Sequence, residues 1–398
     1  MIDFPFDEEC YGCGLCEEMC PVHAITMQEN NDGFRIPVVN HDACIKCRKC
    51  EKFCIRLQGH QGIPLESSQL QACWQKDRDS RLKSTSGGVF FCVARAFIEK
   101  WHGVVCGCVW NKHMEAEIVA VESIADLEKM RGSKYVQATI RCYGQIKEYL
   151  KQGRKVLFSG TPCQVGAIQR LFPNNEHLYT IALFCELVPS PKVWRIYVSE
   201  LEKRARSTMI NAFHRKKSLY GWLLPESEYI FANGKKISTL ACSLDPYVSN
   251  TLLGFFTRNS CIHCGYKGDN SSADIMVGDY WGLPKSILKR TGNAGCSVIC
   301  VNTAAGRVLV QLTGDVMESE PVAMDDIVPK NPMLLQPVEK NPKRDAVLAY
   351  MGTHSFHETI TAFCNTNSKK SRRIALLHLF RVAGIVKRLM YPYGKEHK

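Results

Sequence analysis

The chain has 398 residues, 45% of them hydrophobic and 23% charged, which predicts two or three globular domains with a sizeable core. No stretch is apolar over the length that spans a bilayer. The formal net charge of +12 is concentrated in 369–398, which holds nine Lys or Arg and one Glu; no nucleic-acid motif accompanies these residues, so we predict no nucleic-acid partner.

Cysteine is the unusual residue type, with 21 in the chain. The opening residues, MIDFPFDEEC, show no basic start followed by an apolar run, so we expect no secretory signal and a cytoplasmic location. A reducing compartment disfavours a disulfide framework. Metal ligation is therefore favoured for the cysteines with regular spacing.

Residues 10–20 and residues 44–54 both have the spacing Cys-x2-Cys-x2-Cys-x3-Cys. In two-cluster ferredoxins the fourth cysteine of each run ligates the cluster of the other run. The pattern predicts two [4Fe–4S] clusters, the first on Cys10, Cys13, Cys16 and Cys54, and the second on Cys20, Cys44, Cys47 and Cys50. Zinc is the alternative, because Cys-x2-Cys pairs also bind zinc, but two matched runs of four favour the clusters.

The segment between the motifs predicts two short strands joined by a turn at 31–33, as in a bacterial two-cluster ferredoxin. One departure is that Pro21 follows the first motif while Ile55 follows the second. We therefore predict an α+β ferredoxin-like module over residues 1–65.

From about residue 75 the pattern alternates between β-branched strands and amphipathic helices. Strands are predicted at 102–110, 117–121, 155–159 and 179–185. Helices are predicted at 123–131, 139–153, 162–172 and 191–205. A hairpin with an Asn233-Gly234 turn interrupts this alternation. The alternation predicts an α/β domain with a largely parallel mixed sheet over 75–350, with an N-terminal part (75–155) and a C-terminal part (156–350).

Four local signals stand out in this region, each with an ordinary alternative. The small residues at 84–88 precede an apolar helix and could bind a phosphate, or form only a helix start. The turn at 159–164 places Cys163 at a helix start, where a thiolate is favoured, although buried cysteines are commonly inert. Cys261 and Cys264 form a lone pair that needs ligands from elsewhere. An apolar strand at 272–282 runs into a polar, aromatic turn, where α/β sheets place ligands.

Together these residues resemble the coenzyme F420 hydrogenase/dehydrogenase beta-subunit family, in the form with a fused N-terminal two-cluster ferredoxin domain. The resemblance extends from about residue 5 to about residue 350. The segments that carry it are 84–88, 131–138, 159–164, 183–194, 245–247, 258–264, 273–282 and 295–297.

The resemblance implies bound FAD and a third [4Fe–4S] cluster beside it. The implied FAD contacts are Ser84, Ser86, Gly87, Gly88, Lys134, Tyr135, Gln137, Thr161, Pro162 and Gln164. The implied ligands of the third cluster are Cys163, Cys185, Cys261 and Cys264. Many relatives have His-Gly after the second of these cysteines, where this chain has Glu186-Leu187. Lys134 and Asp279 are the candidates for catalytic contacts near the flavin.

These expectations lead to a functional hypothesis. Clusters transfer single electrons and a flavin can exchange them for a hydride, so the chain is predicted to be an iron–sulfur flavoprotein oxidoreductase acting on coenzyme F420 or another organic substrate. A ferredoxin-like protein would be its electron donor or acceptor. The alternatives are a non-catalytic electron-transfer subunit feeding a partner enzyme, including one in surface-polysaccharide synthesis, and an interaction protein with vestigial clusters.

The basic tail, residues 365–398, is a separate question. In 371–391 apolar residues lie roughly along one side of a helix among Arg and Lys. This pattern is typical of a helix on an anionic membrane surface, which would make the protein peripheral to the inner face of the membrane. Docking on the protein body or on a partner requires the same amphipathic pattern. The nine cysteines outside the three predicted sets are interpreted as structural.

Overall fold

The computed structural model describes residues 9–218 and 220–363, and within these ranges the first unit is a small two-helix, two-strand module. Its elements are α1 (Leu15–Glu18), β1 (Ile25–Glu29), β2 (Arg35–Val39) and α2 (Lys49–Phe53). The predicted hairpin is confirmed: β1 and β2 pair antiparallel. Its turn is closed by Asn30, which accepts hydrogen bonds from the Gly33 and Phe34 N–H groups, and Gly33 has a φ of +79°.

The remainder of the described chain forms a large α/β domain. Its strands are β3 (Gln69–Gln75), β4 (Val104–Trp110), β5 (Ala116–Val121), β6 (Thr139–Ile140), β7 (Val156–Gly160), β8 (Leu178–Leu183), β9 (Met209–Lys216), β10 (Glu226–Phe231), β11 (Lys236–Ser238), β12 (Ile275–Asp279), β13 (Ser297–Val301) and β14 (Met317–Pro321). Its helices are α3 (Arg78–Leu82), α4 (Val89–Trp101), α5 (Ile124–Glu128), α6 (Tyr143–Lys151), α7 (Pro162–Leu171), α8 (Pro191–Ala205), α9 (Pro246–Leu252), α10 (Asn259–Ile262), α11 (Lys285–Thr291), α12 (Ala304–Gln311), α13 (Met324–Ile327), α14 (Arg344–Met351) and α15 (Phe356–Phe363). Short 3-10 turns lie at Leu65–Ser67, Cys242–Leu244, Gly268–Asn270, Val328–Lys330 and Pro332–Leu334.

A nine-stranded mixed sheet organises this domain, in the order β14-β3-β13-β12-β8-β7-β4-β5-β6. Its four central strands, β12, β8, β7 and β4, are parallel, and antiparallel pairs lie on both flanks. Every residue of β7 is buried, as expected for a parallel strand covered on both faces. The predicted fold class is confirmed. The sheet takes strands from both 75–155 and 156–350.

The largest difference from the predicted bounds lies at the start of α6, and α5 is also shorter than its predicted span of 123–131. The helix expected over 139–153 begins only at Tyr143, because Thr139 and Ile140 form the edge strand β6 beside β5. Both of these residues are β-branched and therefore favour extended backbone over helix. The Asn233-Gly234 turn is confirmed between β10 and β11, in a separate three-stranded sheet with β9.

Polar contacts fasten the N-terminal module to the large domain. The Arg35 N–H donates to Gln137 Oε1 at 2.9 Å, and Gln137 Nε2 donates to the Arg35 carbonyl at 3.3 Å. Arg195 on α8 donates two hydrogen bonds to the Glu29 carboxylate, at 2.5 and 2.6 Å. These bonds hold the β1–β2 hairpin of the module against the large domain.

The predicted basic tail at 365–398 and its amphipathic segment 371–391 lie outside the described residues. In the described part of the chain, no helix has both the length and the apolar character needed to cross a membrane.

Candidate iron–sulfur and flavin site

The two cysteine motifs fold into loops with the same backbone conformation. In the first, Gly12 and Gly14 have left-handed φ angles of +61° and +78°. The equivalent residues of the second motif, Lys46 and Arg48, are also left-handed, with φ of +54° and +58°. This conformation costs a residue with a side chain about 1–2 kcal/mol. Its repetition at Lys46 and Arg48 therefore indicates that the positions of the thiols require it.

These loops bring together the cysteines that were predicted to share clusters. Cys13 and Cys16 interact electrostatically with each other and with Cys10 and Cys54, the rest of the first set. Burial raises the pKa of Cys13 to about 12, so bare thiolates are disfavoured there and a cationic iron core would stabilise them. Three members of the second set, Cys20, Cys44 and Cys50, pack in one hydrophobic cluster that also includes Cys16 and Cys54 of the first set. The fourth, Cys47, is exposed.

The third predicted set is assembled from distant parts of the chain. Cys163 lies in the first turn of α7, Cys185 follows β8, Cys261 lies in α10, and Cys264 follows it. Electrostatic interactions link Cys185 with the other three members and link Cys264 with Cys163 and Cys261. Cys163 also interacts with Cys13, so the third set lies next to the first.

Two buried cations flank the third set. Arg258 Nη2 lies 3.8 Å from both Cys163 Sγ and Cys261 Sγ. Lys267 Nζ donates to the Cys185 carbonyl. Among the described residues neither cation forms an ion pair with a carboxylate, so a negatively charged group is expected between them. A cubane ligated by four thiolates would supply that charge, and the residues present fit it.

The described residues contain no group of three or more His, Cys, Asp or Glu side chains that could hold a metal ion. A single zinc ion draws its ligand sulfurs to about 2.3 Å from the metal. A four-iron cube is larger and keeps its four sulfurs farther apart. A cubane at this site is therefore supported by the electrostatic interactions among the four cysteines and by the two buried cations beside them.

A cavity of about 350 Å³ lies beside Cys163 and Cys185, within the size range of cofactor sites. Eight of the ten predicted FAD contacts line it: Ser84, Ser86, Gly88, Lys134, Tyr135, Gln137, Thr161 and Gln164. Gly87 and Pro162 are buried beside it without lining it. Glu186 and Leu187, which stand where many relatives have His-Gly, also line the cavity.

Two glutamines of this wall have their side-chain amides engaged by other parts of the protein. Gln137 bonds the backbone of the N-terminal module, as described above. Gln164 accepts from the Thr161 N–H at 3.0 Å and donates to the Ala138 carbonyl at 3.2 Å. Both side chains therefore position the wall of the cavity, and the polar atoms available to a ligand come from other residues.

The proposed catalytic residue Lys134 faces the cavity from the loop after α5. Its Nζ donates to the carbonyls of Met130, Arg131 and Gly132, at 3.1 to 3.4 Å. Burial lowers the pKa of Lys134. The ammonium group is thus held by backbone dipoles.

Asp279, the other proposed catalytic residue, ends β12 in a buried ion pair. Arg215 donates to its carboxylate at 2.5 Å, and Trp222 Nε1 donates to it at 2.7 Å. Burial alone would raise the pKa of Asp279, but Arg215 and Trp222 hold it below its usual value. The guanidinium carbon of Arg215 lies 4.9 Å from the centre of the Trp281 ring. Arg215 Nη2 is buried without a hydrogen-bond partner among the described residues, which leaves one donor for an anionic ligand group.

Comparisons with known proteins follow the same division of the chain. Residues 153–325 match the family described as the C terminus of the beta subunit of coenzyme F420 hydrogenase/dehydrogenase. Residues 9–56 match the 4Fe-4S dicluster domain family. Residues 153–325 are thus similar to the C-terminal domain of that beta subunit. The N-terminal module of this chain is a dicluster iron–sulfur domain.

Two Methanosarcina proteins are similar to this chain. The F subunit of the F(420)H(2) dehydrogenase of Methanosarcina mazei is 26% identical over 186 residues, which are 44% of this chain and 53% of that protein. The chain thus spans about half the length of this curated relative. A chain of the xenon-derivatised F420-reducing [NiFe] hydrogenase complex from Methanosarcina barkeri is 17% identical, with a TM-score of 0.44. That match covers 76% of this chain and 92% of the other.

Sequence reasoning missed several buried cations of the large domain, among them Lys267. Arg131 and Arg258 stand at the first position of the segments 131–138 and 258–264, so their places in those segments were the available signal. Arg131 donates to Ser84 Oγ at 2.6 Å and fixes the turn at the cavity. Arg215 lies within β9, where no motif pointed to it.

A buried histidine behind the cavity predicts a pH effect on the stability of the large domain. His214 Nδ1 accepts from the Tyr135 N–H at 3.0 Å, and its ring packs against Trp110 and Trp194. Burial lowers the pKa of His214 to about 3, below the value of about 6.5 for a free histidine. Between these values the unfolded chain binds a proton that the folded chain does not. Stability is therefore expected to fall as the pH is lowered through this window, by up to about 1.4 kcal/mol per pH unit.

The contribution of His214 can be isolated by urea denaturation at several pH values between about 4 and about 7, the range in which a free histidine titrates. The variant His214→Phe should show a smaller decline than the wild type. His113→Phe, at an exposed position, is the matched control and should keep the wild-type decline. Equal declines in all three proteins would contradict the assignment to His214.

Proposed function

We propose that this chain is an iron–sulfur flavoprotein oxidoreductase that passes electrons between ferredoxin-type [4Fe–4S] clusters and FAD, with hydride transfer to or from an organic substrate. The observation that carries the proposal is the position of Cys163. It interacts electrostatically with Cys13 of the first cysteine set and also lines the cavity. One residue thus adjoins the dicluster module on one side and the candidate flavin pocket on the other.

The residues around the cavity suggest where the clusters and the flavin would bind and what each would do. When bound, the clusters would supply one-electron transfer and FAD would exchange single electrons for a hydride. The start of α7 directs N–H groups and a favourable dipole at Cys163, which suits an anionic thiolate. Ser84, Ser86 and Gly88 border the cavity where α4 begins, so the first amides of that helix are suited to a phosphate of the cofactor.

Arg215, Asp279 and Trp281 offer contacts for the substrate at another part of the cavity wall. Arg215 has a free donor for an anionic group, and its charge keeps Asp279 ionised. Trp281 lines the same wall and stacks on Trp222, with ring centres 4.9 Å apart. Coenzyme F420 or a similar organic hydride carrier is the proposed substrate class, because the Methanosarcina mazei relative is by name an F(420)H(2) dehydrogenase subunit.

A second function is favoured by the same relative, which is by name one subunit of its enzyme. In this version the chain is a non-catalytic electron-transfer subunit that feeds a separate catalytic partner, including one in surface-polysaccharide synthesis. Turnover of coenzyme F420 with a viologen dye by the isolated chain would support the first function. A stably co-purifying partner, without turnover by the isolated chain, would support the second.

Anaerobic purification followed by iron, sulfide and flavin analysis tests the cofactors directly. Three cubanes predict about twelve irons per chain, because each cluster holds four. A flavin released by denaturation should be identified as FAD by its chromatographic retention. About eight irons would remove the third cluster from the proposal, and absence of flavin would overturn the proposed hydride chemistry.

A further inference from the structure

Arg258 and Lys267 are buried on two sides of the third cysteine set. Arg258 is 5% exposed and Lys267 is 7% exposed. Arg258 faces Cys163 and Cys261, since its Nη2 is 3.8 Å from each sulfur. Lys267 is placed beside Cys185 by hydrogen bonds to the Cys185 carbonyl and, at 2.9 Å, to the Met333 carbonyl.

The protein gives these cations little compensation of its own. Arg258 donates to the Tyr11 carbonyl, but its Nε is buried without an acceptor among the described residues. Glu186 is the nearby acid that interacts with Lys267, and the two form no ion pair in the described part of the chain. A charge buried without a partner is strongly unfavourable. Both cations therefore indicate that negative charge belongs at the cysteine set.

Cations in this position act on the two redox states of a cluster unequally. The oxidised and reduced forms of a thiolate-ligated cubane differ by one negative charge. A positive charge nearby stabilises the reduced form more, and interactions in a buried site are weakly screened. Hydrogen bonds to the ligating sulfurs act in the same direction. The structure thus offers two separate contributions that raise the reduction potential.

We propose that Arg258 and Lys267 set the reduction potential of the cluster held by Cys163, Cys185, Cys261 and Cys264, raising it so that this cluster accepts electrons readily from the dicluster module. The inference rests on the proposed function for the presence of that third cluster. Arg258 also lines the cavity, whereas Lys267 does not, and the proposed action of both residues is through the cluster.

The two residues differ in how far their influence extends. Arg258 also binds the Tyr11 carbonyl, between the first two cysteines of the N-terminal motif, and it interacts with Cys10 more weakly than with Cys261 and Cys163. Lys267 interacts electrostatically with Cys185 and Cys264, which both belong to the third set. Removing Arg258 should therefore lower the reduction potential of the third cluster most, that of the first cluster less and that of the second least. Removing Lys267 should lower the reduction potential of the third cluster alone.

The test is a redox titration of the anaerobically purified full chain, followed by electron paramagnetic resonance, in the variants Arg258→Met, Lys267→Met and Arg258→Lys. The signal that disappears in Cys163→Ala identifies the third cluster. For Arg258→Met we expect its reduced-to-oxidised ratio at a fixed potential to fall at least tenfold, which is about 59 mV for a one-electron couple. Arg81→Met, which removes another buried arginine, should leave every midpoint unchanged.

The outcomes separate this inference from the proposed function. Unchanged midpoints in variants that retain about twelve irons would overturn the roles of Arg258 and Lys267 and leave the third cluster in place. About eight irons in the wild type would overturn the third cluster, and this inference with it. If Arg258→Met loses iron, Lys267→Met decides, because a negative shift of the third-cluster midpoint supports the inference and an unchanged midpoint refutes it. Arg258→Lys keeps the positive charge but cannot reach both sulfurs, so only a small negative shift is expected there.

Discussion

Replacing Cys163 with alanine is expected to remove about four irons per chain and to leave about eight, because one cubane loses a ligand while the dicluster module keeps all of its own. The same change should weaken flavin reduction by reduced ferredoxin, since Cys163 adjoins the candidate flavin cavity. Iron and sulfide analysis, together with the electron paramagnetic resonance spectrum, measures the first effect. Stopped-flow absorbance of the flavin measures the second.

Cys300→Ala is the matched control for this prediction. Cys300 is a fully buried cysteine in β13, and its pKa is raised to about 12 by burial alone. Losing it removes a small apolar side chain without removing a proposed ligand, so the iron content should stay at the wild-type value. Equal iron contents in Cys163→Ala and the wild type would contradict the assignment of Cys163.

Replacing Trp194 with alanine is expected to lower the free energy of unfolding by about 3–5 kcal/mol, the usual loss for truncating a buried aromatic side chain. Trp194 on α8 is 1% exposed, and its Nε1 donates to the Met114 carbonyl at 2.7 Å. Its ring centre lies 4.9 Å from that of Tyr247 and 5.0 Å from that of His214. The cavity left by the substitution would also loosen His214, which holds the backbone of Tyr135 at the candidate flavin site.

Urea denaturation followed by circular dichroism measures this loss without relying on the fluorescence of the removed tryptophan. The control is Trp101→Ala at the end of α4, where the indole is partly exposed and packs against Phe97 and Tyr179. A smaller loss is expected there, because less apolar area is removed from the core. A loss at Trp194 no greater than that at Trp101 would contradict its central place in the aromatic core.

Local chemistry explains why some features could be predicted from the sequence. The two Cys-x2-Cys-x2-Cys-x3-Cys runs specify their loops, since three thiols two residues apart require a tight backbone. The hairpin at 31–33 and the Asn233-Gly234 turn depend on residues adjacent in the chain. The alternation of strands and helices gave the fold class for the same reason. The predicted helix start at 139 was wrong, because Thr139 and Ile140 pair with β5 as an extended strand and α6 begins only at Tyr143.

Contacts between distant residues could not be predicted in this way. Gln137 was expected to contact a flavin, yet its amide is engaged by Arg35, 102 residues away. Asp279 was expected near the flavin, and its ion pair with Arg215 is made across two different sheets. Such pairings depend on how the sheets pack, and no spacing in the chain encodes them.

The sequence by itself therefore determined the dicluster module, because the spacing of its cysteines fixes the two loops locally. It left Cys261 and Cys264 as an isolated pair, to which only a family resemblance supplied Cys163 and Cys185. The tertiary structure decided that these four lie together, beside the first loop and between two buried cations. The physical reason is that α7, β8 and α10 converge at one end of the sheet, and convergence is a property of the packed fold.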